Sequence, residues 1–215
     1  MPPEPVVVEL FTAQGCADCL DANARLEAVA DEPGVIVLTY GVDYWDYLGW
    51  SDTFAKPEFT ARQRAYRGPL RMRTVSTPQV VIDGRRQVSG VRDPDLQRAI
   101  DEEVVRRVYP PQIEFRARGD RVGIGSGRAP SGGAEVVAVT FTPGPQVVEI
   151  QSGDNRGREV RQVNVVRSVH VLGEWTGRPG LYALPAHLGS DQSVAILVQA
   201  KADRRILTGA VRAPD

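Results

Sequence analysis

Cys16 and Cys19 are the only thiols in this 215-residue chain, and they stand three positions apart. Two cysteines cannot build the multi-bridge framework of a small secreted domain, so stability must come from an apolar core. The 42% hydrophobic and 25% charged content is enough for one large domain or two small ones. Upstream of the pair, Val6 to Phe11 is apolar except for Glu9 and reads as a buried parallel strand. A loop, Thr12-Ala13-Gln14-Gly15, leads into Cys16. From Ala17 to Ala30, Leu20, Ala24, Leu26, Ala28 and Val29 recur at helical spacing until Pro33-Gly34 stops them. Val35 to Tyr40 is the next strand. Strand, helix and strand over this length form a βαβ unit with parallel strands. The thiols therefore meet a helix N-terminus, whose unpaired N–H groups favour a thiolate.

Further on, Asp43 to Trp50 places four aromatics among acids and a glycine. Pro57 opens a helix running to about Arg67. Val75-Ser76-Thr77-Pro78 precedes a strand from Gln79 to Ile82, and Asp83-Gly84 is a two-residue hairpin signal. Asp93 and Pro94 start another helix that should end near Val108. Tyr109-Pro110-Pro111 marks a boundary, giving expected domains of 1–109 and 110–215. Beyond it, short alternating strands are separated by Gly and Pro clusters: 113–117, 121–124, 134–141, 146–150, 160–172, 193–199 and 206–211. The expectation for that half is an antiparallel β-sandwich.

The strand, the Cys16-Ala17-Asp18-Cys19 helix start, and Thr77-Pro78 before a hairpin resemble the thioredoxin fold from about Val6 to Val108. Glu9-Leu10-Phe11-Thr12, Gln14-Gly15-Cys16, the stretch 42–50, Thr77-Pro78-Gln79 and Asn164 to Ser168 look like a bacterial secreted thioredoxin-like family of unknown function. The resemblance implies an α/β thioredoxin-like N-terminal domain and an exported, periplasmic or secreted protein. It also implies a cis-proline loop at Pro78, with the Thr77 backbone turned toward Cys16 to pair with substrate. Glu9 falls near the place of a buried acid in such folds and is the candidate proton acceptor for Cys19; a buried strand Glu can equally be held by hydrogen bonds and do no chemistry.

In a CxxC site the first sulfur is the exposed one, so Cys16 is the expected nucleophile and Cys19 the resolving thiol. Asp18 and Asp21 oppose a thiolate beside them, which suits reduction or isomerisation of protein disulfides better than disulfide donation. Tyr44 and Trp45 follow the second strand, at the sheet edge where ligands gather, and are candidates for a substrate wall; Trp50 reads more as packing. The expected partners are protein thiols or disulfides and a redox partner, with no cofactor. A net charge of −1 gives no general attraction to nucleic acid. No apolar run reaches the span of about 20 residues that a membrane helix needs. The first five residues show neither a basic nor an apolar leader segment.

Three other readings compete. Zinc needs four ligands, and His170 and His187 lie far from the cysteines in sequence. Copper(I) suits two thiolates but finds no histidine before His170. A redox-inert binding protein with a static local disulfide is the third possibility. Gly123 to Gly127 reads as a turn between strands, since Pro130 and further glycines follow instead of a helix.

Overall fold

The computed structural model describes residues 4–90, 93–106, 109–186 and 188–214, so the expected helix end near Val108, the side chain of Asp93 and His187 lie outside it. The apolar run before the cysteines forms β1 (Val6–Thr12), buried along its whole length. α1 (Cys19–Val29) follows, and β2 (Val35–Gly41) pairs parallel to β1. A short 3-10 turn at Asp46–Leu48 lies in the aromatic stretch, and α2 (Pro57–Ala65) carries Pro57 in its first turn. The hairpin of β3 (Gln79–Ile82) and β4 (Arg86–Val88) turns at Asp83 and Gly84, both at positive φ, and β3 runs antiparallel to β1. α3 (Asp93–Val104) completes the first half.

The second half begins with β5 (Ile113–Phe115) and β6 (Arg121–Ile124). Two long strands come next, β7 (Ala134–Glu149) and β8 (Glu159–Trp175), then β9 (Gly180–Ala183), β10 (Ser193–Ala200) and β11 (Ile206–Arg212). The expected strands 134–141 and 146–150 are one, carried through Pro143-Gly144-Pro145 by irregular pairing with β8.

The fold class expected from sequence is overturned. A thioredoxin-like α/β domain beside a separate β-sandwich is not what forms. Eight strands build one mixed sheet in the order β11-β10-β7-β8-β2-β1-β3-β4, with a small sheet of β5-β6-β9 beside it. The physical reason lies at β2. Its residues are buried on both faces, and left at a sheet edge it would bury unpaired backbone groups. β8 covers that edge in parallel at Thr39 and Val165, and the Asn164 side chain donates to Val37 O at 3.0 Å.

Alternation along β1 sorts the core. Val7 and Phe11 join Tyr40, Phe59, Tyr66 and both cysteines on the α2 face. Val6, Val8 and Leu10 meet Ala22 and Leu26 of α1 and Leu96 and Ile100 of α3 on the other. A third cluster packs around Trp175 between the two sheets. At Gly84 a Cβ would sit 2.1 Å from Arg204 O, so only glycine lets the β3–β4 turn touch the β10–β11 connection. Among the described residues no helix is long and apolar enough to cross a membrane.

Candidate functional site

Cys16 and Cys19 are joined by a disulfide. α1 begins at Cys19, so Cys16 lies in the turn before it, with the Cys19 N–H donating to Cys16 O. Ala17 and Asp18 between them are exposed, yet Cys16 is only 1% exposed and Cys19 0%. The bond thus lies just under a surface turn. The expected open first sulfur is not found.

Trp45 lies beside the cysteine loop. It packs on the apolar cluster containing both sulfurs, and its indole N–H donates to Thr77 Oγ1 at 2.7 Å. Its Cβ is 3.7 Å from where a side chain at Gly15 would begin. Tyr44 packs on the same cluster and donates to Gln63 Oε1 at 2.9 Å; burial pushes its pKa up to about 12. Gln63 in turn donates to Ser76 O and Gln79 Oε1, either side of the cis Thr77–Pro78 bond. The structure therefore joins Tyr44, Trp45 and Thr77 around the cluster that holds the cysteines.

Glu9 lies on the β1 face of Val7 and Phe11. It is fully buried, and both carboxylate oxygens are taken: Arg62 Nε donates to Oε1 at 2.6 Å and the Tyr66 hydroxyl donates to Oε2. Burial works against the Arg62 charge, but Glu9 and the neighbouring tyrosines outweigh it and raise its pKa. Burial also pushes the Tyr66 hydroxyl well up. Gln199 of β10 accepts from Arg62 at 3.1 Å and donates to the Tyr66 hydroxyl at 2.8 Å. This is the hydrogen-bonded, structural reading of a strand glutamate.

Sequence reasoning passed over the group that holds the cysteine loop in place. Gln14 is fully buried and uses every polar group it has. Its N–H donates to Asp52 Oδ2 at 2.7 Å, and its Oε1 accepts from Trp50 Nε1 at 2.8 Å and from the Thr53 N–H at 3.0 Å. Its Nε2 donates to Thr53 Oγ1, and its carbonyl accepts from Asn155 Nδ2 at 2.8 Å. Asp52 also accepts from the Phe54 and Ala55 N–H groups; burial nonetheless raises its pKa above the ordinary value. Asn155, itself 0% exposed, belongs to the β7–β8 connection, where only a glycine-rich turn was legible. Trp50 thus ties the insert to the cysteine loop through Gln14. Among the described residues no three His, Cys, Asp or Glu side chains gather closely enough to hold a metal ion.

A mixed sheet with a CxxC disulfide at the head of its first helix defines the class of molecule. Residues 7–199 match the model of a family described as proteins of unknown function (DUF1223), and the chain belongs to that family. It is similar to the crystal structure of protein AGR_C_4864 from Agrobacterium tumefaciens, at 31% identity and a TM-score of 0.82 over 98% of this chain and 94% of that one. It also shares its fold with HBP35 of Porphyromonas gingivalis, at 12% identity and a TM-score of 0.57 over 99% of this chain and 76% of that one. No curated protein matches the chain.

Proposed function

We propose that the protein performs thiol–disulfide exchange on protein substrates through Cys16 and Cys19. The observation that carries this reading is a bonded cysteine pair in an exposed turn at the N-terminus of α1. The helix end favours a thiolate there, and the opposing Asp18 and Asp21 keep it from being a strongly stabilised one. In the reduced form the Cys16 thiolate attacks a substrate disulfide, forming a mixed disulfide and releasing one substrate thiolate. The Cys19 thiolate then attacks Cys16, restoring the bonded pair and releasing the second substrate thiolate. A dithiol redox partner returns the pair to the reduced state by the same two exchanges. Thr77, Pro78, Tyr44 and Trp45 line the approach for an extended substrate segment, and the turn over the buried Cys16 must open before its sulfur is reached. We place this chemistry in an oxidising compartment, where such a bond persists.

Burial of both sulfurs favours a second reading, a static disulfide that fixes the turn. Trapping separates the two. In Cys19→Ser, Cys16 should form a stable mixed disulfide with a disulfide-containing protein, and Cys16→Ser should trap far less. If Cys16 reacts only in denaturant, the static reading holds.

A further inference from the structure

At the opposite end of β1 from Cys16, four arginines from four separate segments converge on one cavity of about 270 Å³. Arg85 comes from the β3–β4 turn, Arg106 from just beyond α3, Arg128 from between β6 and β7, and Arg205 from between β10 and β11. Like charges gathered in a concavity repel one another, so the fold must either neutralise them or reserve them for an anion.

Neutralisation is incomplete. Glu103, 1% exposed, lies 3.7 Å from Arg85 and 3.8 Å from Arg106, and it is shared with Arg86 at 3.8 Å. Neither of its oxygens accepts a hydrogen bond. Asp203 stands 3.5 Å from Arg205, whose buried Nε has no hydrogen-bond partner. Among the described residues Arg128 has no ion-pair partner. Four guanidiniums therefore line this cavity with two carboxylates beside them, an excess of two positive charges there, while Glu4, which accepts from Thr208 Oγ1 at 2.9 Å, lines the adjoining cavity instead. Guanidinium forks match the oxygens of a phosphate group, and a dianion supplies the missing charge.

The cavity continues into a second of about 820 Å³ that shares Tyr109, Pro110 and Arg128 with it. The Tyr109 ring is 91% exposed beside the arginines, an apolar face with nothing against it. The basic surface is a small concavity and not a stripe along which a nucleic acid backbone could run. We propose that this cleft binds a small phosphate monoester, with its phosphate among Arg85, Arg106, Arg128 and Arg205 and its organic body against Tyr109 and Pro110.

Calorimetric titration of the full chain with AMP and, separately, with inorganic phosphate tests this. AMP should bind, and more tightly than inorganic phosphate. The double substitution Arg128→Gln/Arg205→Gln should weaken AMP by about a hundredfold, about tenfold for each guanidinium removed. Arg158→Gln, at an exposed position in the β7–β8 connection beside Asn155 and so at the cysteine end of the fold, should leave the affinity unchanged, and matching melting temperatures would show all variants folded. Binding of phosphate without AMP assigns the site to the free ion and overturns the monoester. No binding of either, or equal affinity in the double variant, overturns the site altogether.

Discussion

Among the places where the second half of the chain grips the first, two buried side-chain contacts are built from different materials. In the core, Gln199 joins the Glu9–Arg62–Tyr66 cluster, where two opposite charges are sealed from water. Beside the cysteines, Asn155 holds the Gln14 carbonyl with one neutral hydrogen bond. A sealed ion pair has no gradual way to open, because separating it strands a charge. A neutral bond to a loop can break and re-form at modest cost. The permanent joint and the adjustable one are thus set apart, and the adjustable one lies next to the candidate chemistry.

The largest effect should come from the sealed pair. Arg62→Met leaves Glu9 buried without its cation and should cost about 3–5 kcal/mol in urea unfolding. Adding Glu9→Leu should restore much of that loss; a double variant as unstable as the single would mean the charges are not a closed pair. Asn155→Ala should cost less, about 1–3 kcal/mol, yet should speed reduction of the Cys16–Cys19 bond by dithiothreitol. Unchanged reduction kinetics would break the link between that joint and the disulfide. Trp45→Phe removes the bond to Thr77 while keeping an aromatic ring on the cluster, and should speed reduction by about tenfold, one hydrogen bond's worth, with little change in stability.

The smallest effects are in acid, and they have opposite signs. Burial raises the Asp52 pKa above its ordinary 3.8, so between that value and its raised one the folded chain binds more protons and gains stability as pH falls. Arg161 hydrogen-bonds Glu27 and lowers its pKa below 4.5, so that pair stabilises above this value and its contribution is lost on acidification. Asp52→Ala should remove the first trend and Glu27→Gln the second, each read as a change in the slope of stability against pH.

Local signals carried well in the first half. The run 6–11, the helix after the cysteines, Pro57 and Asp83-Gly84 all produced the expected elements, because each depends on neighbours in sequence. The pairing of β2 with β8 joins Thr39 to Val165, and no pattern within either strand names its partner. That one pairing joins strands of both halves into a single sheet. Among site residues, the pairing of Cys16 with Cys19 was legible from their spacing at the head of a helix. Asn155 was not, since a lone asparagine among glycines reads as a turn. The burial of Cys16 also escaped notice, because the apolar cluster that encloses it draws on residues from Val7 to Ile206.

The reduction equilibrium of the folded protein with glutathione tests the central claim most directly, with each redox state fixed by alkylation and counted by mass. If the pair is an exchange site, the reduced fraction will follow the glutathione ratio while the protein keeps its native circular dichroism. A bond that stays closed at every ratio until the chain unfolds would contradict the account.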